Sequence, residues 1–336
     1  MQNYMKISPL IALLIILIVS LACERILPGY KYNQGTLPET PVNLTDFNTE
    51  YDDYNSTGPS LGELIPFCFS TNRRDQKDFD IIYMPMNVNF DKTTGILKVT
   101  NGYDNRGVFA EDFEVIRTGL DKIETVGNEY GPNLMTGPSI DKFKFTLLYS
   151  TDVTGNSQIN FISNRTDENF SDPKEVEFLN SEFDDMYPTF NSERSRIYFC
   201  SNRNGKDFDF YYVNVNPATG IDLLLSDNSS YQIFLDSSLS GSSDDKCPFI
   251  FKNRMVFASD RSGGFGGFDL YYSNFENGEW SEPVNFGEKI NTEYDEYRPI
   301  LIEEGVSWTQ TMIVFSSNRK GGKGGFDLYF AGIEDK

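Results

Sequence analysis

The chain has 336 residues, 39% of them hydrophobic and 15% aromatic, with a formal net charge of −21 and no histidine. That apolar content is enough for a core, so the sequence describes a folded protein of one large β domain or two average ones. The acidic field disfavours nucleic acid and anionic lipid as partners. The missing imidazole removes Ser-His-Asp and Cys-His nucleophiles and every His-containing metal site.

In chain order, the first segment carries one lysine and then an apolar run from Pro9 to Ala22. Such a run is short for a bilayer span and matches the core of a signal peptide. Ser20-Leu21-Ala22-Cys23 resembles a bacterial lipoprotein lipobox, which implies lipidation of Cys23 as the new N-terminus, although Ser20 stands where an aliphatic residue is commoner. An ordinary secretory signal with an incidental cysteine is the other reading. The expected organisation is a signal peptide over 1–22, a polar tether over 23–40 and a single domain over 41–336. The expected location is the cell envelope, lipid-anchored at the outer membrane, with the periplasmic or surface face left open. Cys68, Cys200 and Cys247 remain; Cys68 and Cys200 sit in apolar strand-like runs and read as buried free thiols, without a metal site.

From residue 47 onward the chain repeats itself. An acidic turn recurs as Phe47–Asp53, Leu179–Asp185 and Ile290–Glu296, with weaker copies at Leu239–Asp245 and Val126–Gly131. A short apolar stretch with proline follows, then a hairpin: an apolar strand, Ser-Asn/Asp-Arg, a polar or glycine turn, and an aromatic strand opening on Phe-Asp. Hairpin copies stand at Phe67–Tyr83, Ile197–Tyr212, Met255–Tyr272 and Ile313–Phe330, with a degenerate one at Leu147–Phe161. With Glu50, Glu129, Glu182, Ser243 and Glu293 as marks, the intervals are 79, 53, 61 and 50 residues. Apart from the long first unit, this is the spacing of four-stranded propeller blades. The PVNF of Pro283–Phe286, an outer strand before the last unit, recurs as PVNL at Pro41–Leu44. The last unit lacks that strand, so the N-terminal copy is expected to complete the last blade and close the ring. The predicted fold is all-β: a five-bladed β-propeller of four-stranded antiparallel blades, with six blades as the alternative if the first unit hides one.

The series Asp-Asp-x-x-Pro, apolar strand, Ser-Asn-Arg, Phe-Asp-Leu-Tyr resembles the WD40-like propeller repeat of the TolB type over roughly Val42 to Ile333. The resemblance implies a Gram-negative envelope propeller and is specific for fold, not for function. TolB's additional N-terminal domain has no counterpart here, and no Tol-system role is carried over.

In such a meander the acidic turn and the Ser-Asn-Arg turn fall on one face of the disc. The acids Asp52, Asp53, Asp184, Asp185, Asp244, Asp245, Asp295 and Glu296 and the arginines Arg73, Arg203, Arg261 and Arg319 are read as a structural network. A carboxylate ring for Ca²⁺ is the lesser alternative; otherwise no cofactor or metal is expected. The second unit, taken to lack both acids and arginine, supports pairing. The Gly-rich loops precede strands instead of helices, which argues for turns and against phosphate cradles. Candidate binding residues are sought where the repeat breaks: Tyr103, Asp104, Arg106, Glu111 and Asp112 in the extra segment Asn101–Asp121, read as a solvated loop or elaborated outer strand, and Trp308. The functional expectation is a non-enzymatic module that binds or scaffolds an envelope protein or glycan and touches the membrane through its lipid only. A glycoside hydrolase is the alternative.

Overall fold

Runs such as Arg196–Ser201 (RIYFCS) and Asp209–Asn214 (DFYYVN) fill both faces of a strand with aromatic and β-branched side chains, and they pair antiparallel around the Asn-Gly turn as the repeat requires. The structure is a computed structural model that describes residues 29–59, 64–102, 110–137, 143–166, 169–302 and 308–334.

Among these residues the strands form five blades of a propeller. Blade 1 contains Asp53–Thr57, Cys68–Thr71 and Asp80–Tyr83. Blade 2 contains Glu129–Gly137, Lys144–Thr151, Gln158–Ser163 and Lys174–Glu175. Blade 3 runs from Asp185–Phe190 through the hairpin above to Ile233–Leu235. Blade 4 contains Asp245–Phe251, Arg254–Ser259, Asp269–Glu276 and Val284–Asn285. Blade 5 joins Glu296–Ile302, Thr311–Ser317 and Asp327–Ile333 to the N-terminal Val42–Asn43, in register Val42 to Phe330 and Asn43 to Tyr329. The ring closes as the PVNL repeat predicts.

Among the described residues the long first unit holds no sixth blade. Its extra residues make a separate sheet of Leu64–Ile65, Met86–Asp91 and Ile96–Asn101, and a helix, Ala110–Ile123. The helix corrects the expected loop or strand. Phe113, Ile116, Leu120 and Ile123 recur at helical spacing and are buried against Ile81 and Tyr83 of blade 1 and Phe145 and Leu147 of blade 2. Arg117 donates to the carbonyl of Tyr83 at 3.1 Å, so the helix serves the third strand of blade 1 where the other blades have a fourth strand.

Part of the segment expected as a tether lies on the propeller. Tyr32 packs edge-on against Phe90, Gly35 bridges Trp308, and Leu37 is buried.

Every innermost strand contains a bulge after its second residue: the pairing shifts after Tyr54, Tyr130, Met186, Lys246 and Tyr297. The next residue, Asn55, Gly131, Tyr187, Cys247 or Arg298, takes a positive φ between 47° and 58°. These five positions surround the axis.

Candidate functional site

Two sets of polar contacts recur around the face that carries the acidic turns. The first joins neighbouring blades. Asp52, Asp184, Asp244 and Asp295 each accept a main-chain N–H from the preceding blade, at Phe326, Ser157, Phe208 and Phe268, over 2.7–2.9 Å. The second lies within a blade. Arg73 meets Asp53 at 2.5 Å, Arg261 meets Asp245 at 2.6 Å, Arg319 meets Glu296 at 3.0 Å, and Arg203 meets Asp185. Each arginine also donates to the carbonyl six residues before its acid and stacks on a second-strand aromatic ring, Phe69, Phe199, Phe257 or Phe315. Among the described residues no three metal-ligating groups stand together.

Blade 2 differs from its expected form. Glu129 faces Thr151 in the pairing as Asp53 faces Thr71, so Glu129 is the buried acid of this blade and does not correspond to Glu50. Asn128 and Asp152 exchange the roles of Asp52 and Asn72: Asn128 accepts the N–H of Phe79, and Asp152 accepts from Asn128. Only the arginine is missing, its place taken by Val153. The acid was kept and its partner lost. Glu129 is fully buried, accepts from Thr125 and Thr151, and leaves Oε2 without a partner. Burial pushes its carboxyl up to about 7.

In the last two hairpins Gly263 and Gly321 are turn residues with φ of 94° and 96°, as expected, while Gly266 and Gly324 have a further role. A Cβ on Gly266 would lie 2.1 Å from the Tyr294 carbonyl, and one on Gly324 1.8 Å from that of Tyr51. They let each hairpin press against the acidic turn of the next blade, where no phosphate would fit.

At the axis, on this same face, opens a funnel of about 360 Å³. Tyr54, Tyr130, Met186, Lys246 and Tyr297, each one residue after the buried acid, line it together with Tyr187, Phe268, Phe326 and Asp295. Tyr54 contacts Phe326 at 5.7 Å and Tyr130 at 6.0 Å between ring centroids, and Phe268 meets Tyr297 at 5.2 Å. The wall is therefore mostly aromatic, with one carboxylate and one ammonium. The ammonium of Lys246 pairs with Asp244 at 3.1 Å and lies over Phe208. Sequence reading missed this site. Its signal was the position after each acidic pair, aromatic in three units and broken at Met186 and Lys246.

Of the residues predicted for binding, only Trp308 has a described side chain. Tyr103, Asp104 and Arg106 lie outside the described residues, as do the side chains of Glu111 and Asp112 and the lipidation candidate Cys23. Trp308 is buried beneath Gly35 and against Phe90, so it offers no exposed ring. Cys68, Cys200 and Cys247 are all buried free thiols.

Fold and funnel together define a five-bladed β-propeller with an open axial cavity. The sequence matches no family model and no curated relative. Among solved structures, an endo-arabinase from Bacteroides thetaiotaomicron superposes with TM-score 0.53 at 10% identity, covering 88% of this chain and 98% of its own. A thermostable family-43 glycoside hydrolase does so with TM-score 0.53 at 10% identity, over 88% and 94%. A putative TolB from Agrobacterium tumefaciens reaches 0.40 at 12% identity, over 84% and 79%.

These neighbours overturn the expectation of a non-enzymatic scaffold. The neighbours at TM-score 0.53 are glycoside hydrolases, which counts against that expectation, and at 10% identity the likeness itself shows the fold alone. The repeat accounts for contacts between and within blades; of its acids Asp295 also lines the axial cavity, where the repeat breaks at Met186 and Lys246 and repetition carries no information.

Proposed function

We propose that the protein is a carbohydrate-active propeller enzyme that cleaves glycosidic bonds in a glycan held in the axial funnel. One observation carries the reading: a cavity of sugar-binding size at the axis whose wall is mostly aromatic rings and includes the carboxylate of Asp295, held in place by the Phe268 N–H and the Asn318 amide. Aromatic faces take the apolar faces of sugar rings, and a carboxylate in reach of them is the first requirement of glycoside hydrolysis. The second requirement is an acid in an unlike environment. Glu129, one residue before Tyr130, is the acid of the inner strands without an arginine and is protonated up to neutrality by burial. The TolB-type repeat is read as the scaffold of this enzyme and not as a Tol-system component.

The test is release of reducing ends from a panel of polysaccharides and aryl glycosides. Activity on at least one is expected, and Asp295→Asn should lower kcat by about 100-fold or more with the fold intact. Absence of product from every substrate, or full activity in Asp295→Asn, overturns the reading.

We propose further that the chain is anchored in the cell envelope, at the outer membrane, through lipid on Cys23, supported by the apolar run and Ser20–Cys23. Radiolabelled fatty acid should enter the wild-type protein and not Cys23→Ser; equal labelling would refute the anchor.

A further inference from the structure

Below the funnel, Arg298 is the bulkiest of the fully buried side chains. Its Nη2 donates to the carbonyl of Pro132 at 2.8 Å and its Nη1 to that of Pro248 at 3.3 Å, reaching from blade 5 across to blades 2 and 4. Its Nε finds no acceptor in the protein. The guanidinium stacks on Tyr187, 5.3 Å from the ring centroid. The titratable groups that act on it most strongly are Cys247, Tyr187, Cys200 and Tyr297, all buried thiols and phenols that burial keeps neutral. Among the described residues it forms no ion pair. Arg73, Arg203, Arg261 and Arg319 each have a carboxylate; Arg298, more deeply buried than any of them, does not. A guanidinium stays charged at any pH a protein meets, and leaving it buried without a counter-charge is costly.

A second orphan donor belongs to the same ring of five axial positions. Asn55 is fully buried, its Oδ1 receives the Tyr187 hydroxyl at 3.4 Å, and its Nδ2 has no acceptor in the protein. Asn55 of blade 1 and Arg298 of blade 5 therefore converge on Tyr187 of blade 3, from positions with the same positive φ. Room for that ring comes from Gly131, where a Cβ would stand 2.3 Å from Tyr187.

We propose that the propeller axis beneath the funnel is an anion site, where Arg298 and Asn55 hold a resident monovalent anion of the halide class. It supplies the acceptor that both donors lack and the negative charge that Arg298 lacks. Size follows from burial. Arg298 and Asn55 are closed to solvent, and Tyr187 both lines the funnel and covers the guanidinium, so a sugar carboxylate in the funnel meets the tyrosine first. The site stands whether or not the funnel belongs to a hydrolase. By neutralising Arg298 the anion fixes Tyr187, and with it the floor of the funnel.

Wild-type protein dialysed into gluconate, a large anion, and then titrated with chloride or bromide at constant ionic strength should gain about 4 °C in Tm at saturation. Arg298→Met keeps the bulk without the charge and should show no difference between the anions. Crystals of the wild-type protein grown in bromide need no variant and should show anomalous scattering at the axis beside Arg298. Equal Tm in gluconate and halide together with no axial bromide overturns the site, as does bromide found only at the surface. If glucuronate displaces axial bromide, the charge serves a sugar acid instead and the resident-anion proposal fails.

Discussion

A chain that begins at Thr45 should unfold and aggregate under conditions where the full chain is stable. Residues before Thr45 supply the last strand of blade 5: Val42 and Asn43 pair with Phe330 and Tyr329, and Leu44 donates its N–H to the Leu328 carbonyl at 2.9 Å. Asn43 adds a side-chain bond to Asp327 at 2.8 Å. Leu37 and Leu44 are buried in the core between blades 5 and 1, and Gly35 covers Trp308. Two buried leucines stabilise by about 2 kcal/mol each, so that with the strand bonds the loss reaches a large part of an ordinary folding free energy of about 5–15 kcal/mol. The strand Asp327–Ile333 would also become a bare, apolar edge, which is a template for association. Denaturant midpoints and light scattering check this, and equal midpoints would refute it. Asn48→Ala is the milder version. Asn48 accepts from the N–H of Leu328 at 2.8 Å and donates to its carbonyl at 2.9 Å, closing the ring just past the end of the outer strand. Its loss should cost about 2 kcal/mol, because both main-chain groups are buried.

That closure is legible in the sequence because PVNL and PVNF are nearly identical and stand six and seven residues ahead of the acidic turns that open at Phe47 and Ile290. The arginine and acid positions were legible for the same reason, since three units spell them alike. What failed were places where similarity and geometry disagree. Asn128-Glu129-Tyr130 reads like the Asn-Thr-Glu-Tyr of the other turns, which draws Glu129 onto Glu50. Strand pairing instead sets it opposite Thr151, three residues further along the repeat. The helix Ala110–Ile123 was hidden because only four of its residues are apolar on the buried side and Gly119 interrupts the pattern; its spacing of three and four was still there to find. The funnel was invisible for another reason. Its walls come from one to three residues per unit, up to 272 positions apart from Tyr54 to Phe326, and they become one surface only when the ring is closed.

Glu129 gives the second large expectation, because its missing partner can be restored. In the unfolded chain its carboxyl titrates near 4.5, and in the fold burial raises it to about 7. The folded protein therefore holds a proton that the unfolded chain releases between these values. Stability contributed by the protonated group is complete below pH 4.5 and is lost as pH rises through 7. The loss is about 3 kcal/mol by the linkage of pKa to stability. Asp209, raised to about 6 by burial and by the charges of Asp207 and Asp245, adds a slope of the same sign. Glu129→Gln should remove Glu129's share, so the variant gains on the wild type at pH 8 and not at pH 5. Val153→Arg should do more. Val153 has the main-chain position of the four arginines, with its N–H on the Thr151 hydroxyl at 3.4 Å as Arg73 has on Thr71 at 3.3 Å. Tyr149 stands where Phe69, Phe199, Phe257 and Phe315 carry their arginines, and the Ile123 carbonyl lies six residues before Glu129, at the sequence distance of Phe47 from Asp53. Acid, platform and acceptor position are all present in blade 2, and only the cation is absent. An arginine there should bring the Glu129 carboxyl down and stabilise the protein above pH 7 by about 2 kcal/mol, with little gain at pH 4.5. Urea midpoints at pH 4.5, 6 and 8 for the wild type and both variants measure this. A wild-type stability that is flat from pH 5 to 8, or a Val153→Arg gain that does not grow with pH, would show that Glu129 is not the lone acid its surroundings make it.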